Sequence, residues 1–505
     1  MKNNSKAISF IYANPIVVLL FLSFFSIALG FTEFYAPISG DTSIYAYYGR
    51  EIVHGQILYR DLWDFKSPGT YYLFALLFRI FPDSVTTLRL SAIGVNIFSS
   101  WMFFRIGQIY FRSGSALVGS AILLIVTNLG GFLNQNGPFP ETFIPLVGLL
   151  GFYFFARSFE DKYNNKLIYS GIFAGLLIVL KQTSLSFAGS ILLFLFIDIF
   201  RFGWRKVRHL LLFVVGIAIA ISPWLLYFQL ETTWGDFVKS VILYPFSYPA
   251  STPLRAALQN LLMLSSSSMV SLGIVFLLTG TGVLVAIRTR NQIQPGIKIA
   301  LLWLVIGMIL ISLPGRFYGR YLMEILAPVV TLATSAINEL FYSATSVTNQ
   351  AVLRLLGFSL GGFFIFGTVV QQAPRTLHIL DDRILHYTPT RSEVLAGYSW
   401  FSAPDVKVFA WGDPRIPYVA GVHSGIKWLD VDPFFNQTYV TDEVIDEIMR
   451  ELESNRPQYF VETSARPLLR ESYLKGTRVN EYINENYEFL IQVGDASIYK
   501  YKVTH

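Results

Sequence analysis

Apolar runs of roughly 18 to 25 residues recur between Pro15 and Gln371, the length a helix needs to cross a bilayer's hydrocarbon core. They constrain the fold strongly, because a spanning segment must satisfy its own backbone groups and a helix does so locally. Composition agrees. Of 505 residues, 53% are hydrophobic and only 14% charged, against about a quarter charged in a soluble domain. Mean hydropathy is +0.49. The expected class is an all-α polytopic membrane domain with a small C-terminal α/β extracytoplasmic domain.

The candidate spans are 15–33, 86–106, 114–132, 139–157, 167–181, 184–200, 209–229, 261–287, 299–313, 322–341 and 354–371, about eleven in all. The first run follows Lys2 and Lys6 and has no small-residue cleavage site, so a retained helix is expected rather than a signal peptide. Lys2 and Lys6, Arg105 and Arg112, Arg157, Lys162 and Lys166, Arg201 to Arg208, and Arg288, Arg290 and Lys298 fall in alternate connections. The segment Asn128–Pro140, in the other set, has no cation. By the positive-inside rule the N-terminus is cytoplasmic and the loop after the first span lies outside. The same rule requires an even number of crossings between residues 167 and 200. Two short helices hinged at Lys181-Gln182-Thr183-Ser184 meet that requirement.

Domain boundaries follow: a transmembrane domain over 1–371, with a first external loop at 34–85, and an extracytoplasmic domain over 372–505. In that loop, Tyr71–Phe81 is too short to span and reads as an interfacial helix. In the C-terminal part, Val406–Trp411, Tyr459–Glu462, Glu488–Val493 and Ser497–Tyr501 read as strands, the last two joined at Gly494-Asp495. Asp442–Glu453 reads as an amphipathic helix. Trp411-Gly412-Asp413-Pro414 reads as a strand-ending turn. Gly361-Gly362 falls inside a span, where small residues let helices pack; Gly280-Thr281-Gly282 also falls in a span and lacks the strand-turn-helix setting of a nucleotide-binding fingerprint.

A net charge of +6 does not imply nucleic-acid binding, since the cations follow membrane topology rather than forming a basic patch. With no cysteine, disulfides and thiolate metal sites are excluded. The six histidines show no metal-ligand spacing; no cofactor is expected, and dependence on a metal is left open. Asn436-Gln437-Thr438 matches a glycosylation sequon, on its own a weak signal.

The stretch Gly40–Gly69 is the candidate site. It carries Asp41, Arg50, Glu51, Arg60, Asp61, Asp64 and Lys66, interleaved with Tyr45, Tyr47, Tyr48, Tyr59, Trp63 and Phe65. A loop that merely joined two helices would need few of these groups. Asp41 suits a general base on an acceptor hydroxyl, or equally an N-cap for a helix over Thr42–Val53. Lys66, held at a Pro-Gly turn, suits a phosphate leaving group, or a lysine snorkelling to the headgroups.

Asp41, Tyr45, Gly55, Tyr59-Arg60-Asp61, Trp63-Asp64 and Lys66-Ser67-Pro68-Gly69 together resemble the first external loop of the GT-C type membrane glycosyltransferases. The nearest families are the protein O-mannosyltransferases, the lipid A aminoarabinose transferases and their bacterial kin. The resemblance covers roughly residues 10–340 and is strongest at 40–80. It departs from those families in reading Lys-Ser-Pro-Gly for Lys-Pro-Pro and in displacing the preceding acid by one position. Three more positions fit it. Glu141, in Pro138-Phe139-Pro140-Glu141, is a second carboxylate at the outer end of a span, or an interfacial cap. Lys181 is an ionisable group at membrane depth, or a snorkelling lysine. Arg316 and Arg320, in Pro314–Tyr321, run against the topological bias and suit a phosphate, or lipid headgroups.

The resemblance implies transfer of a sugar from a polyprenyl-phosphate donor to a hydroxyl-bearing glycan, lipid or protein acceptor at the outer face, with inversion. Asp41 takes the acceptor proton. Lys66, Arg320, Arg316 and Lys181 meet the donor phosphate. Glu141, Asp64, Tyr45, Tyr59, Trp63, Arg60 and Asp61 contact substrate. Two other classes stay open: a transporter or flippase of a lipid-linked saccharide, and a membrane-anchored assembly protein acting through 372–505. The first would show internal repeats, and no such symmetry is visible.

Overall fold

The computed structural model describes residues 15–129, 137–159, 164–247, 253–288, 294–342, 347–403, 405–435, 439–463 and 472–502. Lys2, Lys6, Lys162, Arg290, the sequon at 436–438 and most of the cation-free segment after Asn128 lie outside the described residues. The chain packs as two units. One comprises Met1–Ala36, Leu88–Tyr227 and Thr252–Asp381; the other comprises Pro37–Thr87, Phe228–Ser251 and Asp382–His505.

The first unit is helical. Each expected span coincides with a helix, from Pro15–Gly30 and Val85–Tyr110 through to Leu326–Tyr342 and Val347–Leu380. Among the described residues four helical segments are long and apolar enough to cross a membrane, namely Gln182–Phe202, Trp204–Leu230, Pro295–Ser312 and Gly319–Leu340. Several others, including Ser113–Thr127 and Lys166–Leu180, are apolar but shorter. The break expected at Lys181 is present. Helix Lys166–Leu180 ends there, Lys181 is extended (φ −157°, ψ 130°), and a 3-10 turn at Gln182–Ser184 leads into Leu185–Phe202.

Aromatic side chains including Phe103, Phe152, Phe155, Phe187 and Trp303 form the core of this unit. Small residues set some helix crossings. A Cβ on Gly171 would sit 2.1 Å from the Phe213 carbonyl oxygen, and one on Gly216 would sit 2.1 Å from that of Ile168. Only glycine permits such backbone approach, the usual packing device where lipid removes the hydrophobic drive. Gly282 serves likewise against Leu332. The expectation fails at Gly361 and Gly362, where an added Cβ would meet open space.

The second unit holds a five-stranded sheet: β1 (Lys407–Trp411), β2 (His423–Ser424), β3 (Tyr459–Thr463), β4 (Tyr487–Val493) and β5 (Ala496–Tyr501), in the order β2-β1-β3-β5-β4. β2, β1 and β3 run parallel; β5 and β4 close the sheet antiparallel, as the Gly494-Asp495 turn implied. Alternation along β1 sends Phe409 and Trp411 to one face and Val408 and Ala410 to the other. The first face is covered by Ile448 and Leu452 of helix Asp442–Asn455 and by Val479 and Ile483 of helix Arg478–Asn486. The second face is covered by Leu395, Ile416 and Ala420 from two short helices. β1 ends as expected at Gly412 (φ 88°), after which buried Asp413 holds Arg391 and Arg415.

Residues 37–87, most of the loop after the first apolar helix, belong to this same unit. They supply helix Gly40–Val53 and helix Gly69–Ile80, the second matching the expected interfacial segment. Arg50 donates to the carbonyls of Val422 (3.0 Å), Pro417 (3.4 Å) and Tyr418 (3.5 Å). The Ser424 N–H donates to the Tyr47 hydroxyl at 2.6 Å. A long, preorganised guanidinium satisfying several carbonyls fixes a helix firmly, since each carbonyl would otherwise lose its water.

On the sheet's helical cover, Glu451 accepts the Lys427 N–H at 2.8 Å. Burial nonetheless raises its carboxyl to about 7. An unfolded glutamate titrates near 4.3, so between those values the folded state keeps a proton the unfolded chain has released. Stability from this group is full below about pH 4.3 and is lost as pH rises through about 7. Glu451→Gln should therefore flatten the fall in thermal stability over that window, read as unfolding temperature against pH. An unchanged slope would exclude Glu451 as its source.

Candidate active site

Helix Gly40–Val53 starts because Ser39 caps it. The Ser39 hydroxyl accepts the Thr42 N–H at 3.1 Å and its carbonyl accepts the Ser43 N–H at 3.0 Å. This corrects the cap assignment for Asp41. The carboxylate stands one residue inside the first turn, where the N-terminal end of the helix dipole favours its charge.

Lys66 follows a tightly fixed loop. Gly55 (φ 95°) turns the chain out of the helix, and Tyr59 takes φ 70°, a strained setting for a bulky residue. Buried Tyr59 holds that setting through its N–H to the Leu62 carbonyl (2.7 Å) and its hydroxyl to the Lys66 carbonyl (2.8 Å). Asp64 is fully buried and accepts the N–H groups of Phe65 (2.7 Å) and Lys66 (3.3 Å). Its oxygens lie 3.1 and 3.0 Å from the Lys66 ammonium. A carboxylate oxygen of Asp430 lies 3.6 Å from the same nitrogen. The ring centroids of Phe65 and Tyr45 stand 4.7 and 5.5 Å from it. Burial opposes the ammonium's charge, but Asp64, Tyr45, Asp430 and Asp41 outweigh it and hold Lys66 well above an ordinary lysine. Lys66 is therefore a fixed cation at any physiological pH.

The remaining loop residues named from the sequence are placed as follows. Tyr45 packs edge-on to Tyr71, their centroids 5.6 Å apart. Tyr59 packs against Phe228 and Phe237. Trp63 sits among Tyr439, Tyr244 and Trp428. Arg60 and Asp61 pair with each other at 2.8 Å, and Asp61 also accepts the Ile57 N–H. Of these, Arg60 has its side chain half exposed.

The helical unit contains its own charge cluster. At the break after Leu180, Lys181 lies 2.6 Å from Glu141 and 2.7 Å from Glu324. Glu141 sits in the first turn of helix Pro140–Ser158, whose cap is Phe139, with the Thr142 hydroxyl accepting the Phe139 N–H at 3.1 Å. The capping alternative for Glu141 is thus also corrected. Arg320 lies 3.6 Å from Glu141, its guanidinium 4.7 Å from the Phe139 ring and 4.9 Å from that of Tyr318. The Tyr321 ring stands 4.0 Å from the Lys181 ammonium. Arg316 is half-buried between Gly315 and Phe317, both at positive φ. Glu141, Lys181 and Arg320 thus lie together in one cluster.

Two carboxylates escaped the sequence reading. Glu324 carried a usable signal, an acid inside an apolar span. Asp430 carried none, because only the tertiary fold brings it to Lys66. Among the described residues no group of three or more histidine, aspartate or glutamate side chains is arranged to hold a metal ion.

The sequence model of the dolichyl-phosphate-mannose-protein mannosyltransferase family matches residues 65–227. No curated protein matches the chain. Among solved structures, apo ArnT from Cupriavidus metallidurans superposes with a TM-score of 0.62 at 11% identity, covering 98% of both chains. The apo oligosaccharyltransferase of Archaeoglobus fulgidus gives 0.58 at 14% identity, over 89% of this chain and 69% of its own. The same enzyme tethered by a disulfide bond to an acceptor peptide containing the NVT sequon gives 0.54 at 12% identity, over 97% of this chain and 74% of its own. The chain has the GT-C fold. The loop's resemblance to the GT-C type is borne out, and the ArnT superposition covers the helical and the α/β residues of this chain alike.

In this GT-C chain, Lys181 is the shared counter-charge of two buried carboxylates. Removing one partner of a buried pair leaves an uncompensated charge and costs about 3 to 5 kcal/mol. Lys181→Ala should lower thermal stability by that order in detergent, and adding Glu324→Gln should recover part of it. A single-variant loss below about 1 kcal/mol, the range of an exposed pair, would contradict the cluster.

Proposed function

We propose that the chain transfers a sugar from a polyprenyl-phosphate donor to a hydroxyl acceptor at the outer face of the plasma membrane. The N-terminus is cytoplasmic and residues 372–505 are outside. The observation that carries this reading is the pairing of roles within one folded loop. Asp41 stands in the first turn of its helix with the capping task already done by Ser39. Lys66 is a fixed cation whose electrostatic surroundings include Asp41.

In this reading the acceptor hydroxyl gives its proton to the Asp41 carboxylate while its oxygen attacks the anomeric carbon. The bond from that carbon to the phosphate oxygen breaks on the opposite face, so configuration inverts. The electron pair leaves on the lipid phosphate, where Lys66 stabilises the developing charge, the type of contribution that tends to dominate. Arg320, Arg316 and Lys181 are further candidates for phosphate contact. Arg60, half exposed, is a candidate for the sugar, with Asp61, Tyr45, Tyr59, Trp63, Asp64 and Glu141 supporting substrate contacts. The family match over 65–227 and the fold of ArnT and the oligosaccharyltransferase support the reaction class. The same match supports a lipid-linked donor, and the tethered sequon peptide of one neighbour keeps a protein acceptor in view beside lipids and glycans.

A general base contributes roughly 10²- to 10⁴-fold. Membranes holding Asp41→Asn, supplied with a panel of labelled polyprenyl-phosphate sugars, should form product slower by that factor at unchanged protein level. Equal product from both proteins would remove Asp41 as the base.

A further inference from the structure

The C-terminal segment Lys427–Asp430 is fastened to the first external loop by a set of specific contacts. The Trp63 N–H donates to the Lys427 carbonyl at 3.0 Å. The Tyr48 hydroxyl lies 3.0 Å from that carbonyl and 2.7 Å from the Trp63 carbonyl, and it accepts the Leu429 N–H at 3.3 Å. All three groups are buried. Trp63 and Trp428 pair as an isolated parallel bridge, their rings 6.5 Å apart. A short run of backbone is thus held in register on both sides, and Asp430 is its next charged residue.

We propose that Asp430 is a positioning residue for Lys66, and that delivering it is what residues 382–505 contribute to transfer. This rests on the reading of Lys66 as the cation that meets the donor phosphate. Asp64 is only two residues from Lys66, so this pair fixes the ammonium relative to its own loop. Asp430, 3.6 Å from the nitrogen and mounted on a separate segment, supplies the second direction that fixes the point in space. The Asp430 carboxylate is itself oriented, accepting the Asp432 N–H at 3.0 Å. A phosphate contact requires a charge fixed to about half an ångström, and a partner on a second segment ties the loop's charge to the rest of the unit. The C-terminal domain then serves as one wall of the loop's charge site rather than as a separate binding module.

Asp430→Asn tests this, since the amide oxygen still accepts from Asp432 while the charge is gone. In the full-length protein in detergent, Lys66 acylation by an amine reagent is measured by peptide mass spectrometry at fixed pH. Loss of a close negative charge lowers the lysine's affinity for its proton, and one pKa unit is a tenfold change in free amine. Lys66 labelling should rise roughly tenfold in Asp430→Asn, stay near wild type in Asp430→Glu, and be unmoved by the control Glu443→Gln. In transfer assays Asp430→Asn should lower kcat while the KM for the acceptor is kept, and Asp430→Glu should rescue it. Unchanged labelling in a folded Asp430→Asn protein overturns the proposal whatever the transfer assay shows. Raised labelling with unchanged kcat keeps the contact and overturns its role in positioning. Should Asp430→Asn not fold, Asp430→Glu decides: full labelling protection with full kcat supports the proposal, and loss of either in a folded protein overturns it. Altered labelling in a protein for which no donor is ever turned over would count against the transferase reading alone.

Discussion

The ion cluster around Lys66 is the interaction on which the second unit depends. A buried ammonium is costly unless paired, and a buried carboxylate such as Asp64 equally so. Each therefore requires the other, and the strained Tyr59 and the turn at Gly55 are tolerated because they bring the two together. The cost of breaking such a pair, about 3 to 5 kcal/mol, exceeds what backbone strain at one residue stores. The loop conformation is thus set by its charges, with the aromatic rings packed around that result.

The helical unit solves a similar problem differently. Glu141, Lys181 and Glu324 come from three separate segments, and the interrupted helix after Leu180 puts the lysine where it reaches both acids. A continuous helix through residue 181 would satisfy the backbone more simply. The break is retained where it serves a polar cluster, in keeping with the rule that irregular backbone at membrane depth is shielded by protein.

Much of this was legible in the sequence because membrane helices and strand alternation are local signals. The helices over the apolar runs, the hinge at Lys181, the hairpin at Gly494-Asp495 and the helix after Lys66 all follow from run length, turn residues or period. Caps were less legible. Ser39 and Asp41 are both good cap residues two positions apart, and only the backbone geometry chooses between them. Gly361 and Gly362 misled because a pair of small residues in a span permits close packing without compelling it. The ring faces of Tyr59 and Trp63 suggest stacking on a ligand when read as a loop, yet the fold supplies aromatic partners from Phe228, Phe237, Tyr244 and Tyr439. Asp430 was beyond reach, since its meaning depends on which loop the C-terminal segment meets.

The central claim is that Lys66 meets the donor phosphate. Its most direct measurement is transfer by full-length protein in liposomes, comparing wild type with Lys66→Met across labelled polyprenyl-phosphate sugars. The account predicts that product formation by Lys66→Met falls by at least about a hundredfold, the order lost when one preorganised charge-stabilising group is removed, while the protein remains folded and inserted. Transfer by a folded Lys66→Met protein at the wild-type rate would contradict it.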